Sequence, residues 1–256
     1  MGWVGTAVFV SLMSDLLFIR GLQYGGYALE VVLFLLLARR GMLRRLKGLG
    51  LYVMALFVVD GVGRPAVLHY FDLQSRQYCN FYWLTDVVLA LGAFLLICAF
   101  FRRACAGEEK LWRFTRLLLV FSFILVLAIS ALLLTRNYTQ LFTGFIIEFS
   151  QNLYFTCLVL NTLLYLMIQQ LSIEDDELGF LVCGFGVQFA GEAAALALLH
   201  LTFGESFPRL LLSLLAPTCT LGMLATWIYA IGKTPQAVPV RSPMGRQAAL
   251  AEADVN

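Results

Sequence analysis

Seven runs of about twenty continuously apolar residues dominate this chain, and no other feature limits its folding so strongly. They fall at roughly 16–38, 49–69, 80–101, 114–134, 143–167, 179–200 and 207–231. At about 1.5 Å per helical residue, each is long enough to cross a hydrocarbon core roughly 30 Å thick. Inside that layer a backbone amide has no water to bond to, so only helices or closed barrels can span it. Barrel strands would read as alternating segments about ten residues long, and these runs do not alternate. The expected fold class is therefore all-α, a polytopic transmembrane helical bundle of seven spans over residues 1–233. Residues 234–256, with Pro235, Pro239 and Pro243, read as a disordered tail.

Composition agrees where it bears on the class. With 61% hydrophobic and 13% charged residues among 256, the chain carries more apolar surface than a soluble domain of that size can bury, so the lipid bilayer is its solvent. The first boundary is the least sharp. Residues 3–18 are also apolar, but Asp15 and Arg20 flank Leu16–Ile19, which favours one long helix led by an interfacial segment over two short spans. A cleaved signal segment is poorly supported, because no basic residue precedes the apolar stretch.

Basic loops resist translocation, so Lys and Arg placement predicts orientation. Arg39, Arg40, Arg44, Arg45 and Lys47 lie in the first connection, Arg102, Arg103, Lys110, Arg113 and Arg116 in or near the third, and Lys233, Arg241 and Arg246 at the tail. All fall on one side, expected to be the cytoplasm, with the amino terminus outside and the carboxyl terminus inside. The opposite side carries Arg20, Arg64, Arg76, Arg136 and Arg209. A formal net charge of +2 reflects this topology and gives no sign of nucleic-acid binding.

Familiar chemistries can be tested against residues. A retinal pigment needs a lysine in the last span, yet the lysines are Lys47, Lys110 and Lys233, so no retinal is expected. A zinc-dependent membrane hydrolase needs several histidines, and only His69 and His200 are present. Those two lie near outer helix ends, where histidines satisfied by water or backbone are far commoner than haem ligands, so no haem is expected either. The third and seventh spans lack the motifs of G-protein-coupled receptors: Ala99-Phe100-Phe101-Arg102 and Ala216-Pro217-Thr218-Cys219 stand there, and Pro217 reads as a kink. An enzyme is disfavoured, since no nucleophile–base pair is recognisable.

Six cysteines form no disulfide framework, because Cys79 alone is near the outer rim. Asn137-Tyr138-Thr139 matches a glycosylation acceptor, which carries no meaning in a bacterium. Glu174, Asp175, Asp176 and Glu177 read as a solvated loop favouring a helix start, with a docking site for a basic partner as the other reading.

The informative residues are acids within the spans: Glu30, Asp60, Asp86, Glu148 and Glu192. An ionisable group at depth costs at least about 2.5–3.5 kcal/mol, so it normally faces a partner or a wet cavity. The last four fall roughly 6–14 Å below the outer boundary, with Glu30 nearer the midplane. Helical spacing adds polar neighbours: Arg64 to Asp60, Tyr82 to Asp86, Gln151 and Asn152 to Glu148, and Gln188 to Glu192. Two readings fit. These nine residues line one outward-facing acidic cavity for a small ligand or cation, or they are interhelical packing glue worth about 0.6 kcal/mol each. The excess of carboxylates over Arg64 favours the first. A further stripe, Gly186, Ala190, Ala193 and Ala197, reads as close helix packing.

The stretch Tyr78-Cys79-Asn80-Phe81-Tyr82-Trp83-Leu84-Thr85-Asp86 resembles a Tyr-Trp-x-x-acid pattern opening the third helix of an uncharacterised bacterial seven-helix family common in acidobacteria. The glutamate early in the fifth span and Trp227-x-Tyr229 near the end of the seventh are also similar, over about residues 16–233. Asp86 stands where that pattern implies glutamate. The resemblance implies a bacterial cytoplasmic membrane as the setting and no activity. A receptor-like protein signalling to a cytoplasmic partner is the leading expectation, followed by a non-catalytic subunit of a membrane complex with a membrane protein partner, and then a transporter. The odd number of spans and the lack of a repeat weigh against the last.

Overall fold

The computed structural model describes residues 2–71, 75–134, 141–171, 175–201 and 206–233. The tail 234–256, Glu174 and Asn137-Tyr138-Thr139 lie outside the described residues, as does the side chain of His200. The structure is helical throughout, with no strand among the described residues. Its helices are α1 (Gly2–Arg39), α2 (Lys47–Leu56), α3 (Arg64–Tyr70), α4 (Arg76–Ala104), α5 (Glu109–Leu134), α6 (Leu141–Gln170), α7 (Asp176–Leu201) and α8 (Ser206–Lys233). A π-helical stretch, Phe57–Gly63, joins α2 to α3, so the three form one crossing. Seven of the described segments are long and apolar enough to span a membrane.

Local chemistry accounts for the ends. Gly41, at φ 66°, takes the left-handed conformation that stops α1, and its N–H bonds back to Ala38 O at 3.1 Å. Ser75 Oγ caps α4 by accepting from Tyr78 N–H at 3.1 Å, and Asp175 does the same for α7 through Leu178 N–H at 3.2 Å. Residues 3–18 belong to the same unbroken helix as the first candidate span. α8 likewise continues through Pro217, and Thr218 and Thr220 hydroxyls donate to Leu214 and Ala216 carbonyls at 2.7 and 3.0 Å beside it.

The core is an aromatic knot around Phe185 on α7. Trp227, Tyr52 and Phe100 approach its ring at centroid distances of 4.9, 5.5 and 6.0 Å, so α2, α4, α7 and α8 meet there. Trp227 is fully buried and its indole N–H donates to Leu181 O at 2.9 Å. A Cβ on Gly184 would sit 2.7 Å from that indole nitrogen, so α7 needs glycine there for α8 to approach. Of the expected packing stripe, Gly186 does lie close against Asn161 on α6, Ala190 is exposed, and the side chain of Ala197 lies outside the described residues; the closest approaches to α8 are made instead by Gly184 and Gly191. Outward, α5 shows the lipid-facing pattern, with Phe114, Leu117, Phe121 and Ile124 exposed and Thr115, Leu119, Val126 and Ser130 buried.

One end of the bundle is tied by arginines. Arg103 on α4 donates to both carboxylate oxygens of Asp175, at 2.8 and 3.0 Å, and to Glu177 at 3.2 Å. Arg45 stands 3.8 Å from Glu177, and Arg40 donates to Ile231 and Gly232 carbonyls at 2.6 and 2.8 Å. The acidic cluster is thus not simply a solvated loop. Glu177 is buried and Asp175 half-buried against α4, whereas Asp176 is exposed. A contact across 72 residues has no local signature from which to read it.

Candidate functional site

The second span is shaped by its own sequence, Asp60-Gly61-Val62-Gly63-Arg64-Pro65. Pro65 has no N–H to give Gly61 O, and its ring collides with that carbonyl in an α-helix. The backbone widens just upstream instead: Arg64 N–H reaches back five residues to Val59 O. Gly63 permits this, since a Cβ there would meet Val58 O at 3.2 Å and the Phe81 ring at 3.3 Å. The π stretch carries Asp60 and delivers Arg64 at its end.

Arg64 is the centre of the site. Its Nη1 lies 2.6 Å from Asp60 Oδ1 and its Nη2 3.8 Å from Asp86 Oδ1 on α4. The guanidinium carbon stacks 4.1 Å above the ring of Tyr82. The Asp60 approach is short but off the N–H direction, so it is an ion contact rather than a hydrogen bond; Asp60 Oδ1, Arg64 Nε and Arg64 Nη2 are buried without a hydrogen-bond partner among the described residues.

Asp86 joins a third crossing. Ser150 on α6 donates to its Oδ2 in a short hydrogen bond, and Tyr154 hydroxyl donates to Oδ1 at 3.2 Å. On α7, Gln188 Nε2 donates to Glu192 Oε1 at 3.1 Å, and the Glu192 carboxylate lies within electrostatic range of Asp86, Arg64 and Asp60. Glu30 on α1, 3% exposed, interacts electrostatically with Asp60, and its Oε2 has no hydrogen-bond partner among the described residues. Tyr27 and Tyr52 complete the surroundings, both within electrostatic range of Asp60.

The second candidate span ends at Tyr70 and the third begins at Arg76, so Asp60 and Asp86 each lie about 15 Å along their helices from that end of the bundle. Neither family models, curated proteins nor solved structures give a match to this chain, so the site speaks for itself.

Of the nine residues expected, Asp60, Arg64, Tyr82, Asp86, Gln188 and Glu192 come together. Glu148, Gln151 and Asn152 do not. Glu148 and Gln151 are half-buried and make no hydrogen bond or ion pair among the described residues, while Asn152 Nδ2 donates to Ser130 Oγ on α5 at 3.2 Å. The reason is the face of α6. Its buried stripe runs through Ile146, Phe149, Ser150, Leu153, Cys157, Leu160 and Leu164, and Glu148 lies off it. Ser150 and Tyr154, four apart, were legible from that period, and Glu30 stood out as an acid at depth; Tyr52 was not legible, because nothing in the sequence places its ring beside the π stretch.

The arrangement can hold positive charge. Asp60 and Asp86 share one guanidinium, while Glu30, beside Asp60, and Glu192, beside Asp86 and Asp60, have no ion pair among the described residues. No group of three or more His, Cys, Asp and Glu among the described residues is placed to grip a metal ion. His69 is exposed at the end of α3, away from this site.

Proposed function

We propose that this chain is a membrane receptor whose acidic cluster binds a small cationic organic ligand and whose inner end passes the occupancy to a cytoplasmic partner. The observation that carries the reading is Arg64 itself, a planar organic cation held between Asp60 and Asp86 and against the face of Tyr82. Carboxylates with aromatic faces are the usual surroundings of ammonium and guanidinium groups. A ligand amine would supply the charge that Glu30 and Glu192 lack, and π-helical backbone frequently marks functional sites. The likeness to the acidobacterial-type seven-helix family rests on Tyr82, Trp83 and Asp86 and is proposed on the same footing.

A panel of alkylamines, alkylguanidines and alkali cations tests this on purified protein in detergent. At one hundred times its dissociation constant a true ligand contributes about 2.7 kcal/mol, a rise of several degrees in Tm. Asp86→Asn and Glu192→Gln are expected to abolish the rise. No shift with any cation, or an equal shift in both variants, would remove the receptor reading and leave a subunit held together by polar packing.

The proposed orientation puts the arginine-tied end in the cytoplasm of a bacterial inner membrane. Reporters fused after Arg45, Arg103 and Arg246 are expected to read cytoplasm, and those after Arg76, Asn137 and Glu205 the outside. An exterior signal from the Arg45 fusion inverts the assignment.

A further inference from the structure

At the arginine-tied end, the start of α2 and the last turns of α4 enclose a groove of about 410 Å³. Its floor is apolar: Leu46, Leu49, Leu96 and Phe100 are all buried. Its rim is basic: Arg45, Lys47, Arg102 and Arg103 line it. The local acids cancel only half of that charge. Asp175 and Glu177 are engaged by Arg103 and Arg45, while Lys47 and Arg102 are exposed and have no ion pair among the described residues.

The backbone adds donors at the same place. Leu46 precedes α2 without a side-chain cap, and Gly50 N–H is the first to bond into the helix, to Leu46 O at 3.0 Å. The N–H groups of Lys47, Gly48 and Leu49 therefore have no intrahelical acceptor, and the exposed Gly48 puts no side chain in front of them. Uncapped N–H groups at a helix start, beside unpaired cations, select a phosphate-like anion. Position selects its carrier. The candidate crossings begin at Lys47 and end at Ala104, so the rim lies at the membrane boundary and the apolar floor just inside it.

We propose that this groove binds an anionic phospholipid, with its phosphate against Lys47, Arg102 and the first turn of α2 and the upper part of a chain over Leu49 and Leu96. Basic pockets between helices at this level suit such headgroups.

The test offers delipidated full-length protein an equal mixture of phosphatidylglycerol and phosphatidylcholine in mild detergent and measures the retained lipids by mass spectrometry. Wild type is expected to enrich phosphatidylglycerol, and Lys47→Ala with Arg102→Ala to lower that enrichment about tenfold. Lys47→Arg with Arg102→Lys keeps the charges and is expected to keep the enrichment. So is Lys110→Ala with Arg113→Ala, which removes two exposed cations outside the groove. No enrichment in wild type, or an equal loss in the Lys110/Arg113 pair, would overturn the proposal as diffuse attraction to a basic surface. Millimolar inorganic phosphate is expected to leave the bound lipid in place; complete displacement would assign the groove to a soluble phosphate and overturn the lipid.

Discussion

Arg64→Ala is expected to destabilise the detergent-solubilised protein by about 3 kcal/mol, read from chemical unfolding followed by circular dichroism. Breaking a buried ion pair from one side typically costs about 3–5 kcal/mol, because the other partner stays buried and uncompensated. The lower end applies here, since the side chains of Asp60, Arg64 and Asp86 keep 18–26% of their exposure. Asp60 and Arg64 are four apart on one crossing and pair in any folded arrangement of it. The cross-helix pair is the stricter test. Arg64→Ala combined with Asp86→Asn is expected to cost at least about 1 kcal/mol less than the sum of the single losses. Strict additivity would mean that Arg64 does not stabilise the carboxylate of α4, and the site would reduce to a local contact.

Trp227→Ala is expected to cost a further amount of similar size, on the order of 3 kcal/mol, by a different physical route. Lipid is as apolar as the protein interior, so exposing Phe185 and Tyr52 to it carries little transfer penalty. What remains is the cavity. At about 24 cal/mol per Å³, the void left by an indole accounts for roughly that figure if the surrounding helices cannot collapse. Gly184 provides the check. In wild type Gly184→Ala forces a Cβ to 2.7 Å from the indole nitrogen and should destabilise by about 1–3 kcal/mol. In the Trp227→Ala background only Met223 O, 3.3 Å from the same Cβ, still crowds it, so the cost should fall below about 1 kcal/mol. Equal cost in both backgrounds would show that the contact between α7 and α8 does not depend on this pair.

The crossings were legible because lipid imposes a length and a polarity that a single sequence displays directly. The same holds for acids at depth: Asp60, Asp86 and Glu192 stand out in apolar surroundings, and Arg64 lies four residues from the first. What could not be read was which face of each helix turns inward. On α6 the polar trio Glu148, Gln151 and Asn152 drew the eye, yet the buried period passes through Ser150, and in lipid the outward face is as apolar as the inward one, so hydropathy does not separate them. The π stretch had a signal in Pro65 following two glycines, whose consequence is a changed hydrogen-bond register rather than a break. Glu177 and Arg103 illustrate the remaining gap, since partners 74 residues apart are joined only by the completed fold.

The clamp between Arg103, Asp175 and Glu177 also has an order in time. Arg45 and Arg103 leave the ribosome before the carboxylates that will hold them, and at 5–20 residues per second the 72 residues between Arg103 and Asp175 correspond to roughly 4–14 s of synthesis. During that interval Arg45 and Arg103 stand without the carboxylates that later engage them. The carboxylates arrive at the start of the sixth candidate crossing, when the second and third have already been made. The clamp therefore closes late: the start of α7 can latch onto Arg103 of α4 and onto Arg45, just ahead of α2, only after both of those segments have been made, so this end of the bundle is completed by the helices synthesised last.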